Sequence, residues 1–378
     1  MDKFAPVFSC VIPTKGRVEL VSKLLKSLRS ANTVNGIPVE IVVIDNSSPS
    51  DALAIKQLCD LYDAVFVAGS SSVREKRNRG IEQSNGEYVF FIDSDCIADK
   101  HVFERHFEVL TKADYNACIG VTEFVGEDNF IWHVISNTRF LDSFQFPILL
   151  KGKVDSAPWG PTTNFSVKRE VLIQLNGFET MLPFNLGADD ADLGLRINEA
   201  GYKIGMAEDA IVYHSRETWN GWKKILSRVF RWGRMDYHLY YQRHMDKTAL
   251  TMPKAITVFL MTFLAQLLLA IVTSNYYLLT AIVIWPLLYL LFFALIKKRH
   301  WKMNSVPLRV LMGAEFINQV FDLGCLLMSL RHLSLRFLYC EPIDDPRTIW
   351  HTKMHSIWAL CFVSLSMIIM DCVWLVFL

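Results

Sequence analysis

Some of the most informative features of this 378-residue chain are things it lacks. Its eight cysteines (10, 59, 96, 118, 325, 340, 361, 372) form no CxxC pair. A zinc ribbon or a dithiol centre is therefore not expected, and reduced structural thiols are. The GxGxxG dinucleotide fingerprint and the GKS/GKT phosphate loop are absent, which disfavours a dinucleotide dehydrogenase and a P-loop NTPase. The net charge is +1, and no nucleic-acid partner is expected. Between Ala255 and Ile296 there is no charged residue at all. That gap is about twice the roughly 20 residues a single membrane-spanning helix needs.

The charge that is present is unevenly placed. Residues 1–214 hold 21 Lys+Arg against 29 Asp+Glu, and residues 215–378 hold 18 against 9. An acidic front and a basic, apolar back point to two environments. The uncharged stretch divides at Thr273–Ser274–Asn275, which reads as a turn, so spans are expected at about 255–273 and 277–296, with a third at 356–378. Lys254 and Lys297–Lys298–Arg299 flank the hairpin, and Arg331, Arg336, Arg347 and Lys353 precede the last span. The positive-inside rule then puts the N-terminal domain on the cytoplasmic side of a multi-pass protein, expected in the plasma (inner) membrane or another cytosol-facing one. Strand-like sequence starts by Val7, so no signal peptide is expected. Within 306–330, Glu315, Asn318, Gln319 and Asp322 form one polar stripe at helical spacing, which predicts an interfacial or re-entrant helix.

The front half alternates strand and helix patterns. VFSCVI (7–12), VEIVVI (39–44), 65–67 and YVFFI (88–92) read as strands. Leu20, Val21, Leu24, Leu25 and Leu28 mark one helical face, and 73–84 reads as a basic helix. Near-continuous apolar strands separated by helices predict a parallel sheet covered on both faces. Ligands bind such sheets at the carboxyl ends of the strands, where Pro13–Thr14, Asp45 and Asp93–Asp95 all fall. In extended backbone, residues i and i+2 share a side, so Asp93 and Asp95 would present two hard oxygens to one Mg²⁺ or Mn²⁺ carrying a diphosphate. The same Asp-Ser-Asp string also reads as a solvated turn.

VIPTKGR (11–17), VVIDNSS (42–48), RNRGIEQSNGEYVFFIDSD (77–95), TNFSVKREVLIQLNGFE (163–179), GADDADLGLRINEAGYKI (187–204) and AIVYH (210–214) occur in this order. As a set they resemble the family 2 inverting glycosyltransferases, over residues 7–214 and into the juxtamembrane stretch. The resemblance implies a GT-A catalytic domain at 1–215, with a mostly parallel, Rossmann-like sheet. Amphipathic juxtamembrane helices (216–254) and a membrane domain (255–378) would follow. It places Pro13, Thr14, Arg17, Asp45, Arg77, Asn78, Asp93 and Asp95 around a nucleotide sugar, UDP-linked by preference, with Asp45 receiving the base. Asp95, Asp93 and His214 would hold the metal, Trp159 and Asn164 a sugar or the acceptor. Asp190, with Asp189, would be the catalytic base. Asp189–Asp190 replaces the family's usual Glu-Asp, one methylene shorter in reach. Other readings stand beside these: the acids of 189–192 as helix caps, His214 as a structural histidine, Arg77 as part of a solvated basic face.

Before the first span, Trp, Tyr, Lys and Arg interleave over 217–245, as in an interfacial helix. Arg228-Val-Phe-Arg231-Trp232 resembles the (Q/R)xxRW motif of membrane-integrated members, which would assign Arg231 and Trp232 to the acceptor; a basic anchor on membrane lipids explains the same residues. The expected activity is transfer of a sugar to a lipid-linked or membrane-associated glycan, as in polysaccharide biosynthesis. One rival is an inactive nucleotide-binding scaffold of a membrane glycan-assembly complex. Another is a nucleotidyltransferase, which VIPTKGR disfavours because it lacks a glycine-rich loop.

Overall fold

The computed structural model describes residues 6–112, 114–181, 187–250, 255–274, 280–300 and 302–343. The expected span at 356–378 lies outside them. The chain divides into two compact units, 1–127 with 140–218, and 128–139 with 219–378. The first ends beside the boundary expected at 215.

In chain order the first unit runs β1 (Phe8–Thr14), α1 (Val18–Asn35), β2 (Val39–Asp45), α2 (Pro49–Leu61), β3 (Val65–Ala68), α3 (Val73–Gln83), β4 (Tyr88–Phe91), β5 (Cys96–Ala98), α4 (Val102–Leu110) and β6 (Tyr115–Val125). After α5 (Phe130–Ile135), which belongs to the second unit, come α6 (Phe146–Leu149), β7 (Phe165–Lys168), α7 (Arg169–Gln174), α8 (Asp189–Glu199) and β8 (Lys203–Ser215). The strands form one sheet in the order β3-β2-β1-β4-β7-β6-β8-β5. The pairs β1–β2, β2–β3, β1–β4 and β6–β8 are parallel. Strand β7 is antiparallel to both β4 and β6, and β5 is antiparallel to β8. The expected α/β, mostly parallel sheet is present, with antiparallel members the apolar runs did not announce.

Strand β1 is buried along its whole length, as a central parallel strand with helices on both faces must be. Its alternation feeds two cores. Phe8, Cys10 and Ile12 pack with Val21, Leu24, Leu25 and Leu28 of α1. Val11 packs on the other face with Ile44, Ile81, Val89 and Phe91. The chain leaves β1 for β2 and β3 on one side, then returns to β4 on the other. This reversal is the topological switch point, where the carboxyl ends of neighbouring strands open a crevice. Thr14 pairs with Asp45 in register at that end. Helix α3 starts with Ser72 accepting from the Glu75 N–H, a capping arrangement. It lies flush on β1, because a Cβ added at Gly80 would overlap Val11 Cγ1.

In the second unit, α9 (Trp222–His238), α10 (Ala255–Thr273), α11 (Thr280–His300) and α12 (Leu308–Arg331) are followed by α13 (Arg336–Tyr339). A short antiparallel pair joins β9 (Thr248–Leu250) to β10 (Cys340–Pro342). Helix α10 matches the first segment expected for the hairpin, and α11 covers the second from Thr280 on, residues 277–279 lying outside the described ones. Glycines let α9 and α12 touch backbone to backbone: a Cβ at Gly233 would overlap Phe321 O, and one at Gly324 would overlap Phe230 O. Three residues of the polar stripe of α12 have partners within this unit. Lys297 Nζ lies 3.2 Å from Glu315, Gln319 donates to Glu315 (2.9 Å), and Arg139 lies 3.7 Å from Asp322. Among the described residues one helix, 308–331, is long and apolar enough to cross a membrane, with half of its apolar window buried.

Candidate active site

Around the switch point the first unit gathers polar side chains from several segments. After β1 the chain makes two left-handed residues, Gly16 (φ 65°) and Arg17 (φ 61°). A non-glycine residue there costs on the order of 1 kcal/mol, a strain that surrounding structure must hold. Arg17 Nη1 lies 2.8 Å from Asp95 Oδ2. Asp45, buried at the end of β2, accepts from the Ser47 N–H (2.9 Å) and the Ser47 hydroxyl. Thr14 is buried next to it, while Pro13 is part of the sealed strand β1.

Helix α3 sends basic groups inward. Arg74, Lys76 and Arg77 are all buried, so the solvated-face reading of this helix is excluded. Lys76 donates to the Thr14 carbonyl (2.7 Å), and burial pushes its ammonium down to about 8 against the pull of Asp45. Arg74 donates to the Gly187 carbonyl (2.9 Å), fixing the loop that leads into α8. Arg77 donates to Asp189 and lies 3.4 Å from Asp93 Oδ1, with its guanidinium over the Phe178 ring. Asn78 differs from expectation: its amide donates to the Phe178 carbonyl (2.8 Å) and accepts from the Phe178 N–H (2.7 Å). It pins a loop, a structural use that accounts for both ends of the amide.

The two aspartates of DSD do not share one spot. Strand β4 ends at Phe91, and the Cys96 N–H donates to the Asp93 carbonyl (3.2 Å), closing a turn. Alternation therefore fails between 93 and 95, because it applies only to extended backbone. Asp93 instead accepts from the Thr163 hydroxyl (3.0 Å) and faces Arg77. Asp95 joins Arg17 and His214, which reaches it because Cys96 and His214 lie opposite each other in the β5–β8 pair. Among the described residues, the compact group of potential ligating atoms is Asp95, Cys96 and His214, mutually within 4.8 Å; Asp93 is not part of it.

Helix α8 opens through Gly187 (φ 105°) and Ala188 (φ 58°), and Ala188 rather than an acid holds the N-cap position. Each has a different environment. Asp192 pairs with Arg196 (2.8 Å), and Asp189 pairs with Arg77. Asp190 has no ion pair among the described residues; it accepts from the Ala191 N–H (3.0 Å). Burial and the neighbouring Asp189 charge push its carboxyl up to about 7, against the opposing pull of Arg77.

One sugar-contact expectation changes. Asn164 is fully buried and engaged: it donates to the carbonyls of Val121 (2.9 Å) and Ala210 (2.8 Å), and its oxygen lies 2.9 Å from His106 Nε2. It bridges the irregular β6–β8 register at Gly120/Val121, so it supports the strand that carries His214 and does not reach a ligand. Trp159 packs edge-on against Phe146, and its backbone abuts Gly194 of α8. Arg231 and Trp232 lie on α9 in the second unit, where the Trp232 and Trp219 rings are 6.0 Å apart. Sequence reading missed Lys76, Thr163 and His106. VREKRNRG, with four cations in eight residues, was the signal that could have pointed to Lys76.

Residues 5–234 match the family model described as "Glycosyltransferase like family 2". Glycosyltransferase AglE of Haloferax volcanii is 25% identical over 238 residues, covering 62% of this chain and 74% of that protein. The poly(ribitol-phosphate) β-N-acetylglucosaminyltransferase TarS of Staphylococcus aureus is 28% identical over 115 residues, 27% of this chain and 20% of TarS. The mannosyltransferase PcManGT of Pyrobaculum calidifontis, solved with GDP-Man and Mn²⁺, superposes with a TM-score of 0.46 at 16% identity, over 64% of each chain.

Proposed function

Because the chain belongs to the glycosyltransferase family 2-like proteins, we propose that this member moves a sugar from a nucleotide-diphosphate donor to a hydroxyl of a lipid-linked or membrane-associated glycan, with inversion. The observation that carries the mechanism is the division of the Asp189–Asp190 pair by Arg77. Asp189 is held in an ion pair by Arg77, whereas Asp190 keeps a carboxyl near 7, the range in which a general base works best at neutral pH.

The donor set fits a divalent cation. His214 Nδ1 donates to the Ser215 carbonyl (2.9 Å), so in the neutral ring Nε2 presents a lone pair to Asp95 Oδ1, 3.5 Å away. Two acceptors facing each other call for a proton or a metal between them. Asp95 and His214 would hold Mn²⁺ or Mg²⁺; the softer Cys96 thiol suits neither. Such a cation stabilises charge on the departing diphosphate. Asp45 and Thr14 bind the nucleoside, by preference uridine. Lys76 adds positive charge beneath them. Asp190 accepts the proton of the acceptor hydroxyl as that oxygen attacks the anomeric carbon in line, and a single base suffices.

The membrane reading rests on the uncharged 255–296 stretch, the basic flanks and helix 308–331. It makes the protein multi-pass, with the catalytic unit cytoplasmic; the assignment of Arg231 and Trp232 to the acceptor rests on the Arg228–Trp232 pattern alone. The test is calorimetric titration of UDP, GDP and dTDP into detergent-purified protein, with and without Mn²⁺. Metal-dependent binding of one nucleotide, lost in Asp95→Asn, is expected. Binding of none would sink the reading and revive the scaffold.

A further inference from the structure

Asp95 is almost enclosed, with 5% of its side chain exposed, and each of its oxygens has a different neighbour. Oδ2 lies 2.8 Å from Arg17 Nη1, and Oδ1 faces His214 Nε2. Arg17 is unlike its partner: 43% of its side chain is exposed, and it sits on the left-handed turn between β1 and α1 rather than in a packed element. A long, exposed side chain on a loop can change partners; a buried carboxylate on a tight turn cannot.

We propose that Arg17 is an exchange residue: its guanidinium neutralises Asp95 until a divalent cation arrives with a nucleotide diphosphate, and then moves onto the diphosphate. The inference rests on the reading that Asp95 holds the cation. A guanidinium on Oδ2 and a divalent ion on the same carboxylate repel each other, so the ion alone must displace Arg17 and binds weakly. A diphosphate offers the released guanidinium a bidentate acceptor with more negative charge than Asp95. Cation and nucleotide therefore assist each other through one side chain, a coupling that linkage makes reciprocal. Direct coordination of the diphosphate by the metal adds to the coupling, but only Arg17 makes the free cation's affinity rise when a protein charge is removed.

That sign is the test. Mn²⁺ binding would be measured by loss of the free-ion EPR signal, in wild type, Arg17→Gln, Arg17→Lys and Asp95→Asn, without nucleotide and with UDP or GDP. Arg17→Gln is expected to bind Mn²⁺ alone about tenfold more tightly and the nucleotide in the presence of Mn²⁺ about tenfold more weakly, within the usual range of coupling factors. Arg17→Lys, which keeps the charge, should stay closer to wild type in the Mn²⁺ measurement. If Arg17→Gln binds Mn²⁺ alone equally or less well, Arg17 merely orients Asp95 and the exchange is wrong. Tighter Mn²⁺ with unchanged nucleotide affinity overturns it too. Asp95→Asn binding Mn²⁺ as wild type does would instead remove the metal reading on which it rests.

Discussion

Arg77, on α3, holds Asp189, at the start of α8, and so makes two adjacent carboxylates chemically unequal. Substituting Asp190→Asn is expected to lower kcat by about 10²–10⁴-fold, the usual contribution of a general base. Nucleotide binding should be nearly unaffected, which calorimetry would check. The acid limb of kcat/KM should rise with pH and level off above an apparent pKa near 7, because the base must be ionised. In Asp189→Asn that limb should move to lower pH, since one of the causes raising Asp190 is gone and Arg77 is freed to act on it. An unmoved limb would assign the pH dependence to another group.

Stability should carry the signature of another titratable group. His106 is fully buried between Ser166 Oγ (2.6 Å) and Asn164 Oδ1 (2.9 Å), and burial pushes its imidazole down to about 4. Between that value and the unfolded value near 6.5, the unfolded chain binds the proton and the folded chain does not. Stability from this group is thus present above about pH 6.5 and lost as pH falls towards 4, by up to about 3 kcal/mol. Asp190 acts in reverse: raised from about 4 to about 7, it lowers stability as pH rises through that window. Denaturant melts of His106→Gln should show a shallower acid loss, and those of Asp190→Asn a steeper one.

Asn164→Ala should behave as a core lesion. It leaves the Val121 and Ala210 carbonyls and His106 without their partner, at a cost of about 2–4 kcal/mol. Acceptor KM, measured on the folded fraction at low temperature, should change little. A selective rise in KM with unchanged melting would restore a sugar-contact role.

Gly80→Ala sets helix propensity against packing. Alanine favours an exposed helix by roughly 1 kcal/mol. Here its Cβ would overlap Val11 Cγ1, so overpacking of about 1–3 kcal/mol should win and lower Tm. The shift of α3 would also move Arg77, so nucleotide affinity should fall with it. A raised Tm would show that α3 can lift off β1 without loss.

Much of the fold is legible in the sequence because it is periodic. The buried runs ending in Thr14 and Asp45 announce central parallel strands, and the leucines of 20–28 announce the covering helix. These patterns follow from two rules of local geometry: side chains alternate along a strand and return every 3.6 residues on a helix. The ordered motifs added the family. Asp93 and Asp95 show where the same rule misleads, since a turn beginning two residues past β4 breaks the alternation.

The sequence by itself determined which residues could carry the chemistry and at which strand ends they lie. It also determined that a long stretch after residue 254 cannot be ordinary charged surface. Only the tertiary structure decided how those residues are paired. Arg77 meets Asp189 across 112 positions, and Arg17 meets Asp95 across 78. Strand pairing, not spacing, sets Cys96 opposite His214. Local backbone rules carry no information over such separations. The charge on Asp190 depends on them, because burial and neighbouring charge exist only once distant segments have closed around it.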